Sequence, residues 1–597
     1  MKRTDILGLS AFYHDSALCY IRGREVTAAM EEERFSRIKH DNSFPENTLN
    51  ALKERFGLDT HKLKYVVFYE KPILKFERII SNLIGIAPGG FPFALKSLPL
   101  TLSKKLFISS IIRRNIEGDY KLLFVPHHIS HAVAGFIPSH FDSAAFMIND
   151  AVGEWDTTTL GTIDKKSINI NEGIDYPHSL GMFYSAFTYF AGFRVNSGEY
   201  KFMGLAPYGR PLYRDIIKDN IIDIRDNGSY ALNLDYFSYL HGSSMCGRKM
   251  ENLLGLKIRK PNETITAQYA DLAASVQSVL EEVLIKMARY LRQSTGEKNL
   301  VLGGGIALNC VANSRIISES GFENVFIQPA SGDSGGAMGG GLYAARYIEN
   351  RDLDNIQNYS YLGTSYTNRE IENAIRQLNG VYESVKDPPV KAAELIEKGN
   401  IVGWFNGRME YGPRALGSRS ILADPGDSTM QKKLNLKIKF RESFRPFAPS
   451  VMEEYHNEYF EEEFYTPYML TVSTLRKKYR NTDRHITHDF EILSKGIAEV
   501  PAVVHADFSS RVQTVSRKQN PSYYRILEAF RERTGVPMII NTSFNIRGQP
   551  IVESPGDAFR VFMKTDMDVL IIGSYILYKD KQTADRQSIR IDNVIED

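Results

Sequence analysis

Two histidines at metal-ligand spacing stand in the stretch "VPHHISHAVAGF". His127 and His131 are four residues apart, and in a helix this spacing places both imidazoles on one face, with His128 off that face. Two imidazoles on one helix face suit a divalent metal ion. Paired histidines also occur as ordinary core or surface residues, so the spacing alone leaves both interpretations open.

Acidic and glycine-rich segments follow apolar, strand-like runs. Asp150 ends "AAFMIND", a position at which carboxylates of open α/β folds hold cations or phosphates, although a turn-capping aspartate is the alternative. Glycine clusters follow in residues 300–314, "LVLGGGIALNCVANS", and 329–345, "PASGDSGGAMGGGLYAA". Such clusters let backbone N–H groups approach a phosphate, so the pattern predicts a nucleotide site. Close packing of strand on helix explains some of these glycines but poorly explains Asp333 among them.

Basic residues recur beside turns in the last third of the chain, in "GPRALGSRS", "KIKFRESFRPFAPS", "HADFSSRVQTV" and "NTSFNIRGQPIV". Arginine is always charged and presents a planar fork of donors that suits phosphate or carboxylate oxygens. Basic runs usually form a solvated surface. Arg445 and Arg547, however, stand among apolar and turn residues, where a cation needs an anionic partner. The pattern therefore predicts a site for a phosphate-bearing ligand.

Strand and helix patterns must position these residues. "DILGLS" and "ALCYIRGREVTAAMEEERFSRIKHD" predict a β-hairpin start that runs into a charged helix, and strand-like runs recur with helical stretches between them. The pattern predicts a mixed α/β fold. We expect domains at residues 1–355 and 371–579, a polar linker at 356–370 and a charged tail at 580–597.

Composition narrows the function classes. The 597 residues are 43% hydrophobic and 24% charged with a net charge of +2, which gives no reason to expect bulk binding to nucleic acid or membrane. Three cysteines without a CxxC spacing support neither a zinc ribbon nor a disulfide framework and fit a reducing cytoplasm. No run reaches about 18 apolar residues and no signal-like core is present, so we expect a cytoplasmic protein.

The hairpin start, the HxxxH pair, the strand-end aspartate and the glycine clusters together resemble the actin-like (ASKHA) fold in its metal-binding, TsaD-like branch. The stretches "SAFYHDSA", "EEERFSRIKHD", "SGEYKFMGLAPYG" and "RPFAPSV" extend the resemblance to the NodU/CmcH/TobZ carbamoyltransferases, from about residue 6 to 578. The resemblance implies a TsaD-like α/β domain followed by a YrdC-like α/β domain.

The resemblance also implies roles for particular residues. The implied catalytic residue is His14, which would take the proton of an attacking hydroxyl. The implied metal ligands are His127, His131, Asp150 and Asp333. The residues that would hold carbamoyl phosphate are Arg414, Lys439, Arg445, Arg511, Asn545 and Arg547. Those expected near the nucleotide are Lys201, Gly304, Gly305 and Asn309.

The reaction that the resemblance implies uses carbamoyl phosphate and ATP, the latter with Mg²⁺. The YrdC-like domain would break down carbamoyl phosphate and join the carbamate to ATP as carbamoyl adenylate, and the TsaD-like domain would transfer the carbamoyl group to a hydroxyl of a small-molecule natural product or sugar. Family precedent favours Fe²⁺, with Mn²⁺ and Zn²⁺ as alternatives. We expect neither a nucleic acid nor a membrane as partner, and a homodimer is the default oligomer.

Two other functions stay open at this point. The threonylcarbamoyl tRNA-modifying system uses the same two domain types, although a tRNA-binding enzyme is expected to have a stronger basic footprint. A catalytically silent nucleotide-binding scaffold is the other, and the presence of His14 and of the HxxxH pair argues against it. The sequence does not identify the acceptor. Segments 81–115 and 230–255 are candidates for shaping its pocket.

Overall fold

The chain divides into two units. The computed structural model describes residues 3–85, 107–241, 244–354, 360–442, 444–482 and 485–583. Unit 1 comprises Met1–Glu32 and His40–Ile356, and unit 2 comprises Glu33–Lys39 and Gln357–Asp597. The short segment of unit 2 contains the first helix, α1 (Glu33–Ser36). The sequence pattern did not predict that this early segment belongs with the C-terminal residues.

A first five-stranded sheet of unit 1 uses the predicted hairpin start. Its strands are β1 (Asp5–Ser10), β2 (Ala17–Arg22), β3 (Glu25–Glu31), β4 (Leu63–Phe68) and β5 (Lys121–Phe124). Their spatial order is β3-β2-β1-β4-β5. The first three strands pair antiparallel, whereas β4 and β5 add in parallel to β1. Parallel addition needs crossover helices, which explains the mixed α/β character.

A second sheet of unit 1 repeats this topology. In chain order, the next strands are β6 (Ser143–Asn149), β7 (Asp156–Asp164), β8 (Ile168–Asp175), the hairpin β9 (Ile222–Ile224) and β10 (Tyr230–Leu232), β11 (Asn299–Gly303) and β12 (Asn324–Ile327). The sheet order is β12-β11-β6-β7-β8, again with three antiparallel strands and two parallel additions. The duplicated topology confirms the predicted actin-like fold of this part of the chain.

Eleven helices among the described residues complete unit 1. They are α2 (Glu46–Phe56), α3 (Pro72–Gly85), α4 (Ile108–Asn115), α5 (His127–Ser139), α6 (Leu180–Phe190), α7 (Glu199–Leu205), α8 (Arg214–Asn220), α9 (Arg248–Leu254), α10 (Ala267–Thr295), α11 (Cys310–Glu319) and α12 (Asp333–Tyr343). The long helix α10 follows the predicted helical stretch and ends at Gly296, whose φ of 71° gives the left-handed cap that glycine favours.

Glycines of the second cluster lie inside α12 rather than in a loop, so the interpretation of this cluster as a phosphate loop is wrong for them. Helix α12 packs against β1 and α5. A Cβ on Gly339 would come within 1.8 Å of the carbonyl oxygen of Ser130 in α5, and one on Gly8 in β1 within 1.9 Å of the carbonyl oxygen of Ala337 in α12. The glycines therefore let the backbones meet, and this contact fixes Asp333 at the start of α12.

Unit 2 is built on one eight-stranded mixed sheet. Its strands, with the separate pair β17 and β18, are β13 (Glu383–Ser384), β14 (Val402–Phe405), β15 (Arg419–Ala423), β16 (Ala448–Met452), β17 (Ser473–Thr474), β18 (Ser509–Ser510), β19 (Gln513–Val515), β20 (Met538–Ser543), β21 (Val569–Ile572) and β22 (Tyr575–Tyr578). The order in the large sheet is β13-β22-β21-β14-β15-β20-β16-β19. This is the mixed α/β character expected of a YrdC-like domain.

Helices cover the sheet of unit 2. They are α13 (Asn368–Gln377), α14 (Pro388–Glu397), α15 (Met430–Lys433), α16 (His456–Tyr459), α17 (Pro521–Thr534) and α18 (Pro555–Lys564). Helices α14 and α17 pack together over a core centred on the fully buried Trp404 of β14. Burying such side chains supplies most of the free energy that favours folding.

Parts of four predicted segments lie outside the described residues: 86–106 and 242–243 of the two candidate acceptor-pocket segments, 356–359 of the linker and 584–597 of the tail. Among the helices of the described part, none has the length and apolar character needed to cross a bilayer.

The contact between β1 and α12 gives a stability prediction. Gly8→Ala would force a Cβ against backbone atoms that cannot move aside cheaply, so we expect the free energy of unfolding to fall by about 1–3 kcal/mol. Urea denaturation followed by circular dichroism measures the change. Gly204→Ala is the matched control, because a Cβ on Gly204 in α7 would meet nothing within 4 Å. Equal stability of the two variants would contradict the packing argument.

Candidate active site

The histidine pair lies at the start of α5. The helix begins at His127, directly after β5 and Pro126, and His131 follows one turn later with both side chains buried. The Glu154 carboxylate accepts the backbone N–H of His127 at 3.0 and 3.1 Å. A carboxylate at a helix N-terminus is favourable because it meets unsatisfied N–H groups and the positive end of the helix dipole. Glu154 therefore fixes the helix end that carries His127.

Two aspartates join the histidines from other elements. Asp150 follows β6, and Asp333 opens α12. His127 Nε2 lies 3.0 Å from Asp150 Oδ2, 3.1 Å from His131 Nε2 and 3.7 Å from Asp333 Oδ1. His131 Nε2 is 3.5 Å from the same Asp150 oxygen. The structure thus brings together all four residues that the sequence analysis assigned to a metal. His128 points elsewhere, with Nδ1 2.6 Å from Thr159 Oγ1.

The charges of this cluster shift its protonation. Burial disfavours a charged His127 ring, but its hydrogen bond to Asp150 and the nearby carboxylates outweigh burial and raise the pKa of His127 to about 9. Burial would likewise raise the pKa of Asp150, yet the hydrogen bonds from His127 and His131 hold it well below its usual range. Burial raises the pKa of Asp333, and the charge of Asp150 adds to this. The two carboxylates therefore differ in proton affinity, because the histidines stabilise the charged form of Asp150 more than that of Asp333.

The donor set fits a divalent cation. One atom from each of the four side chains lies within 4.8 Å of all the others. Two imidazoles with two carboxylates form the mixed nitrogen and oxygen set that Fe²⁺, Mn²⁺ or Zn²⁺ accepts, and the two carboxylate charges balance a divalent ion. The residues present therefore suit the metal that the sequence analysis expected.

His14 lines the same pocket as two of these ligands. The empty volume of this pocket is about 1000 Å³, including space open to solvent, and its wall includes His14, Asp150 and Asp333. His14 lies in the bend between β1 and β2, and 23% of its side chain is exposed. Its pKa is raised to about 9, because the hydrogen bond and charge of Asp15 outweigh the opposing effect of burial. The remaining wall is largely aromatic and apolar, with Tyr13, Tyr184, Tyr200, Met203 and Leu308.

The four residues expected near a nucleotide divide into two pairs. Gly305 and Asn309 line the pocket, whereas Lys201 and Gly304 are not among its lining residues. Lys201 is buried in α7. Gly304 has a φ of 83°, and a Cβ there would meet the carbonyl oxygen of Asn149 at 2.3 Å, so it serves the close approach of its turn to the end of β6.

The basic residues of unit 2 gather at one edge of its sheet. Strand β20 pairs antiparallel with β15 and β16, and β16 pairs parallel with β19. The start of β15, the end of β20 and the starts of β16 and β19 therefore meet at the same edge. Every carbamoyl-phosphate residue proposed from the sequence follows or precedes one of these ends: Arg414 before β15, Lys439 and Arg445 before β16, Arg511 before β19, and Asn545 and Arg547 after β20.

Direct contacts join part of this set. Lys439 ends a π-helical turn (Leu434–Lys439), and its Nζ donates to the carbonyl oxygen of Ser543, to Asn545 Oδ1 at 2.9 Å and to the Asn545 carbonyl oxygen at 3.1 Å. Burial and the charges of Arg441 and Arg445 hold the pKa of Lys439 well below its usual value. Arg547 is 3.9 Å from the Glu442 carboxylate. Crowded cations of this kind are stabilised by an anionic ligand.

Hydrogen bonds fix the loops that carry these residues. Asn541 Nδ2 donates to the Ala415 carbonyl oxygen at 3.2 Å, and Gln513 Nε2 donates to the Leu416 carbonyl oxygen at 2.9 Å. The loop of Arg414 is therefore tied to the strands that lead to Arg511 and Asn545.

The early segment of unit 2 supports the same loops. Arg34 donates to the Gly412 carbonyl oxygen at 2.7 Å, and Arg37 donates to the carbonyl oxygens of Pro550 and Ile551 at 2.9 and 2.6 Å. Gly412 precedes Arg414 by two residues, and Pro550 follows Arg547 by three. Arg34 thus braces the loop that carries Arg414, and Arg37 braces the loop that carries Arg547.

Sequence reasoning missed several of these groups. Arg441 stands in the same basic run as the exposed Lys437, and only the structure distinguishes them: burial and the charge of Arg445 hold the pKa of Arg441 well below its usual range. Glu154, Arg34 and Arg37 act on carbonyl or N–H groups far along the chain, so local spacing carries no signal for them. The one available signal was that a charged stretch, "EEERFSRIK", directly follows a buried strand.

Comparison with known families gives two matches. A family model described as "Carbamoyltransferase N-terminus" matches residues 5–342, and one described as "Carbamoyltransferase C-terminus" matches residues 393–579. Together the two matches span most of the chain.

Several relatives match over long stretches. The protein sll1178 of Synechocystis sp. is 44% identical, with 97% of each chain covered. The nodulation protein NolNO of Sinorhizobium fredii is 34% identical over 96% of this chain and 80% of its own. The 3′-hydroxymethylcephem-O-carbamoyltransferase of Streptomyces clavuligerus is 30% identical over 52% of this chain and 54% of its own.

The four-ligand cluster gives a metal-binding prediction. His131→Ala removes one nitrogen donor, and we expect the affinity for Mn²⁺ or Zn²⁺ to fall at least tenfold, within the range of about 10–100-fold found on disturbing metal sites. Isothermal titration calorimetry and metal analysis of the dialysed protein measure it. His140→Asn, at the exposed C-terminal end of α5, is the control and should bind as wild type. Undiminished binding by the His131 variant would place the metal elsewhere.

Proposed function

Since the chain belongs to the carbamoyltransferase family and is thus a transferase enzyme, we propose that it is an ATP-dependent O-carbamoyltransferase. Carbamoyl phosphate is its carbamoyl donor, carbamoyl adenylate is the intermediate, and a hydroxyl of a small-molecule natural product or sugar is the acceptor. The observation that carries this proposal is the gathering of the buried Lys439, several half-buried arginines and Asn545 at one edge of the sheet of unit 2.

Unit 2 carries out the activation. Arg414, Arg445, Arg511 and Arg547 would hold the phosphate groups of carbamoyl phosphate and ATP, since the planar guanidinium fork matches phosphate oxygens. Water cleaves the bond between the carbamoyl and phosphoryl groups of carbamoyl phosphate, which gives carbamate and inorganic phosphate. A carbamate oxygen then forms a bond to the α-phosphorus of ATP as the bond to pyrophosphate breaks and pyrophosphate leaves. Positive charge placed where negative charge develops accelerates both steps. The lowered pKa of Lys439 supports this role, because an arriving anion would restore its charged form.

Unit 1 carries out the transfer. The acceptor oxygen forms a bond to the carbamoyl carbon, AMP leaves with the electron pair of the broken bond, and the hydroxyl proton moves to His14. Adenylate is a good leaving group, so the mixed anhydride provides the driving force. The position of His14 in the wall of the same pocket as Gly305, Asn309 and the aspartate pair supports this role.

A metal would be held by His127, His131, Asp150 and Asp333, whose donor set fits it. When bound, a divalent ion would neutralise negative charge on phosphate oxygens. We propose Fe²⁺ on family precedent, with Mn²⁺ and Zn²⁺ also compatible with the ligands.

The acceptor class rests on the pocket and on a relative. Tyr13, Tyr184 and Tyr200 line the wall, and aromatic side chains suit a sugar or a ring system bearing hydroxyl groups. The name of the Streptomyces clavuligerus relative places carbamoyl transfer on a hydroxymethyl group of a small molecule. Both points support a small hydroxylated acceptor.

The first prediction tests adenylate formation. With ATP, carbamoyl phosphate and Mg²⁺, and no acceptor, we expect pyrophosphate release by the wild type and a loss of about 10–100-fold in Arg547→Ala, since a charge-assisted hydrogen bond contributes about 1.5–3 kcal/mol. Chromatographic separation of ³²P-labelled pyrophosphate, formed from ATP labelled with ³²P at the γ-phosphate, follows the reaction, because inorganic phosphate released from carbamoyl phosphate carries no label.

Arg376→Ala is the matched control for this assay, because Arg376 lies in α13 of the same unit with 67% of its side chain exposed. Its rate should equal the wild-type rate. Pyrophosphate release that does not require carbamoyl phosphate, or that survives in the Arg547 variant, would count against the proposed activation step.

The second prediction concerns pH. A base must be neutral to accept a proton, and the pKa of His14 is raised from 6.5 to about 9. A bound cation would offset the charges of Asp150 and Asp333 and lower this value. The rate of transfer should therefore rise with pH and level off between 6.5 and about 9, and His14→Asn should remove this dependence. Rates measured by AMP release from pre-formed carbamoyl adenylate would refute the role if they level off below pH 6.5.

A further inference from the structure

Three side chains form a second cluster in the pocket of unit 1. His40 Nδ1 lies 2.7 Å from Asp15 Oδ1, and the other oxygen, Oδ2, lies 3.7 Å from His14 Nδ1. The carboxylate of Asp15 is thus placed between two imidazoles. All three residues line the same pocket as Asp150 and Asp333, and between 23% and 31% of each side chain is exposed. The proposed reaction assigns no role to Asp15 or His40.

The backbone is built to bring these residues together. Phe12 N–H donates to the Asn42 carbonyl oxygen at 2.8 Å, and Ser16 N–H donates to the Asp41 carbonyl oxygen at 2.9 Å. These two bonds bracket the bend that carries His14 and Asp15 and hold it beside His40, 25 residues further along.

Unusual backbone angles accompany this arrangement. The φ values of Phe12, Asp15 and His40 are 73°, 36° and 56°, a left-handed region that is unfavourable for residues other than glycine. Such conformations persist where surrounding contacts determine them, and they concentrate at functional sites. Three of them within one small cluster favour a role beyond packing.

The Asp15 carboxylate determines which nitrogen of the His14 and His40 imidazoles carries a proton. An ionised Asp15 can only accept hydrogen bonds, so the nitrogen of each imidazole that faces it must carry a proton. For His14 that nitrogen is Nδ1, which leaves the lone pair of the neutral ring on Nε2. The hydrogen bonds from both histidines outweigh burial and hold the pKa of Asp15 below its usual range, so the carboxylate stays ionised. The 3.7 Å separation is long, as catalytic hydrogen bonds often are before substrate binds.

We propose that Asp15 and His40 are positioning residues of the transfer step. His40 fixes Asp15 through its Nδ1–H, and Asp15 holds His14 with Nδ1–H towards itself, so that Nε2 receives the proton of the acceptor hydroxyl as the oxygen bonds to the carbamoyl carbon and AMP departs. The role rests on the O-carbamoyl transfer proposed above. The arrangement follows the general logic of a base oriented by a hydrogen-bonded carboxylate.

Other charged and titratable groups around His14 belong to this account. Asp150 and Asp333 add to the rise in its pKa. The Tyr13 ring lies edge-on to His14 at 5.6 Å between centroids, and Lys75 Nζ lies 3.9 Å from the centre of that Tyr13 ring. Lys75 itself is paired with Glu70 at 2.6 Å, both fully buried. These groups stay constant when Asp15 or His40 is substituted. A change in the protonation of His14 therefore reports only on the cluster of His14, Asp15 and His40.

The test reads the His14 tautomer directly, without any acceptor. Full-length protein carrying ¹³C,¹⁵N-labelled histidine in a deuterated background is titrated by NMR across the pKa of His14, and His14→Asn identifies the His14 signal. We expect the neutral wild-type ring to carry its proton on Nδ1. Asp15→Asn and His40→Ala should populate the Nε2–H form, and Asp15→Asn should lower the proton affinity of His14 at least about tenfold. His40→Asn, whose amide can replace the Nδ1–H donor, should restore the wild-type spectrum.

Three outcomes would overturn the proposal. One is a wild-type His14 protonated on Nε2, and another is a spectrum that neither Asp15→Asn nor His40→Ala changes. The third is loss of a metal equivalent in His40→Ala while the His131 site stays filled, since the atoms of the trio also lie within 4.8 Å of one another and would then be ligands. The signal of His128, fixed by Thr159, reports that each variant is folded.

The pyrophosphate assay separates this inference from the proposed function. Asp15→Asn and His40→Ala should release pyrophosphate at the wild-type rate, because activation takes place in unit 2. Absence of carbamoyl-phosphate-dependent release in the wild type would instead refute the proposed function and leave the tautomer result standing. Loss of release in the two variants alone would overturn the assignment of Asp15 and His40 to the transfer step.

Discussion

Burying a charge away from its counter-charge costs free energy that a fold must offset. In this protein the crowded charges are the carboxylates of unit 1 and the cations of unit 2. In unit 1 two aspartates converge on two histidines, and the second carboxylate is left with a raised pKa. In unit 2 Lys439 and Arg441 are held among other cations at the end of a sheet. The first cluster is suited to a metal cation and the second to a phosphate anion. The sheets, helix ends and glycine contacts around them serve to keep like charges in place.

The sequence predicted those parts of the site that rest on local spacing. The four-residue interval of His127 and His131 is the period of a helix, and α5 provides that helix. Asp150 stands at the end of a strand as its apolar run indicated. Strand and helix periodicity also predicted the α/β class and the hairpin start. Which edge of unit 2 gathers the arginines depends on strand order, which no local pattern contains, so only the family resemblance could group those residues in advance.

Long-range contacts account for what the sequence could not predict. Asp15 and His40 are joined by hydrogen bonds between segments far apart in the chain. The glycines after Asp333 resembled a phosphate loop, because a glycine needed for close helix packing and one needed for a loop look alike in sequence. In the structure their absent side chains admit Ser130 and Tyr69. The glycines thus correctly indicated a close approach to the backbone. The group that approaches these helical glycines is another part of the protein, whereas the sequence pattern predicted a phosphate.

The segment Glu33–Lys39 has a consequence for how the chain is made. Arg34 meets a carbonyl group 378 residues further on, and Arg37 meets one 514 residues further on. At ribosomal rates of about 5–20 residues per second, the partner of Arg37 emerges about 25–100 s after Arg37 itself. Unit 2 therefore cannot finish folding in the order of synthesis, because the segment Glu33–Lys39 is made first and its hydrogen-bond partners are made near the end of the chain. For the same reason, cutting the chain once at the boundary between the units would not yield two whole domains, since the C-terminal fragment would lack the segment of seven residues that braces the loops of Arg414 and Arg547.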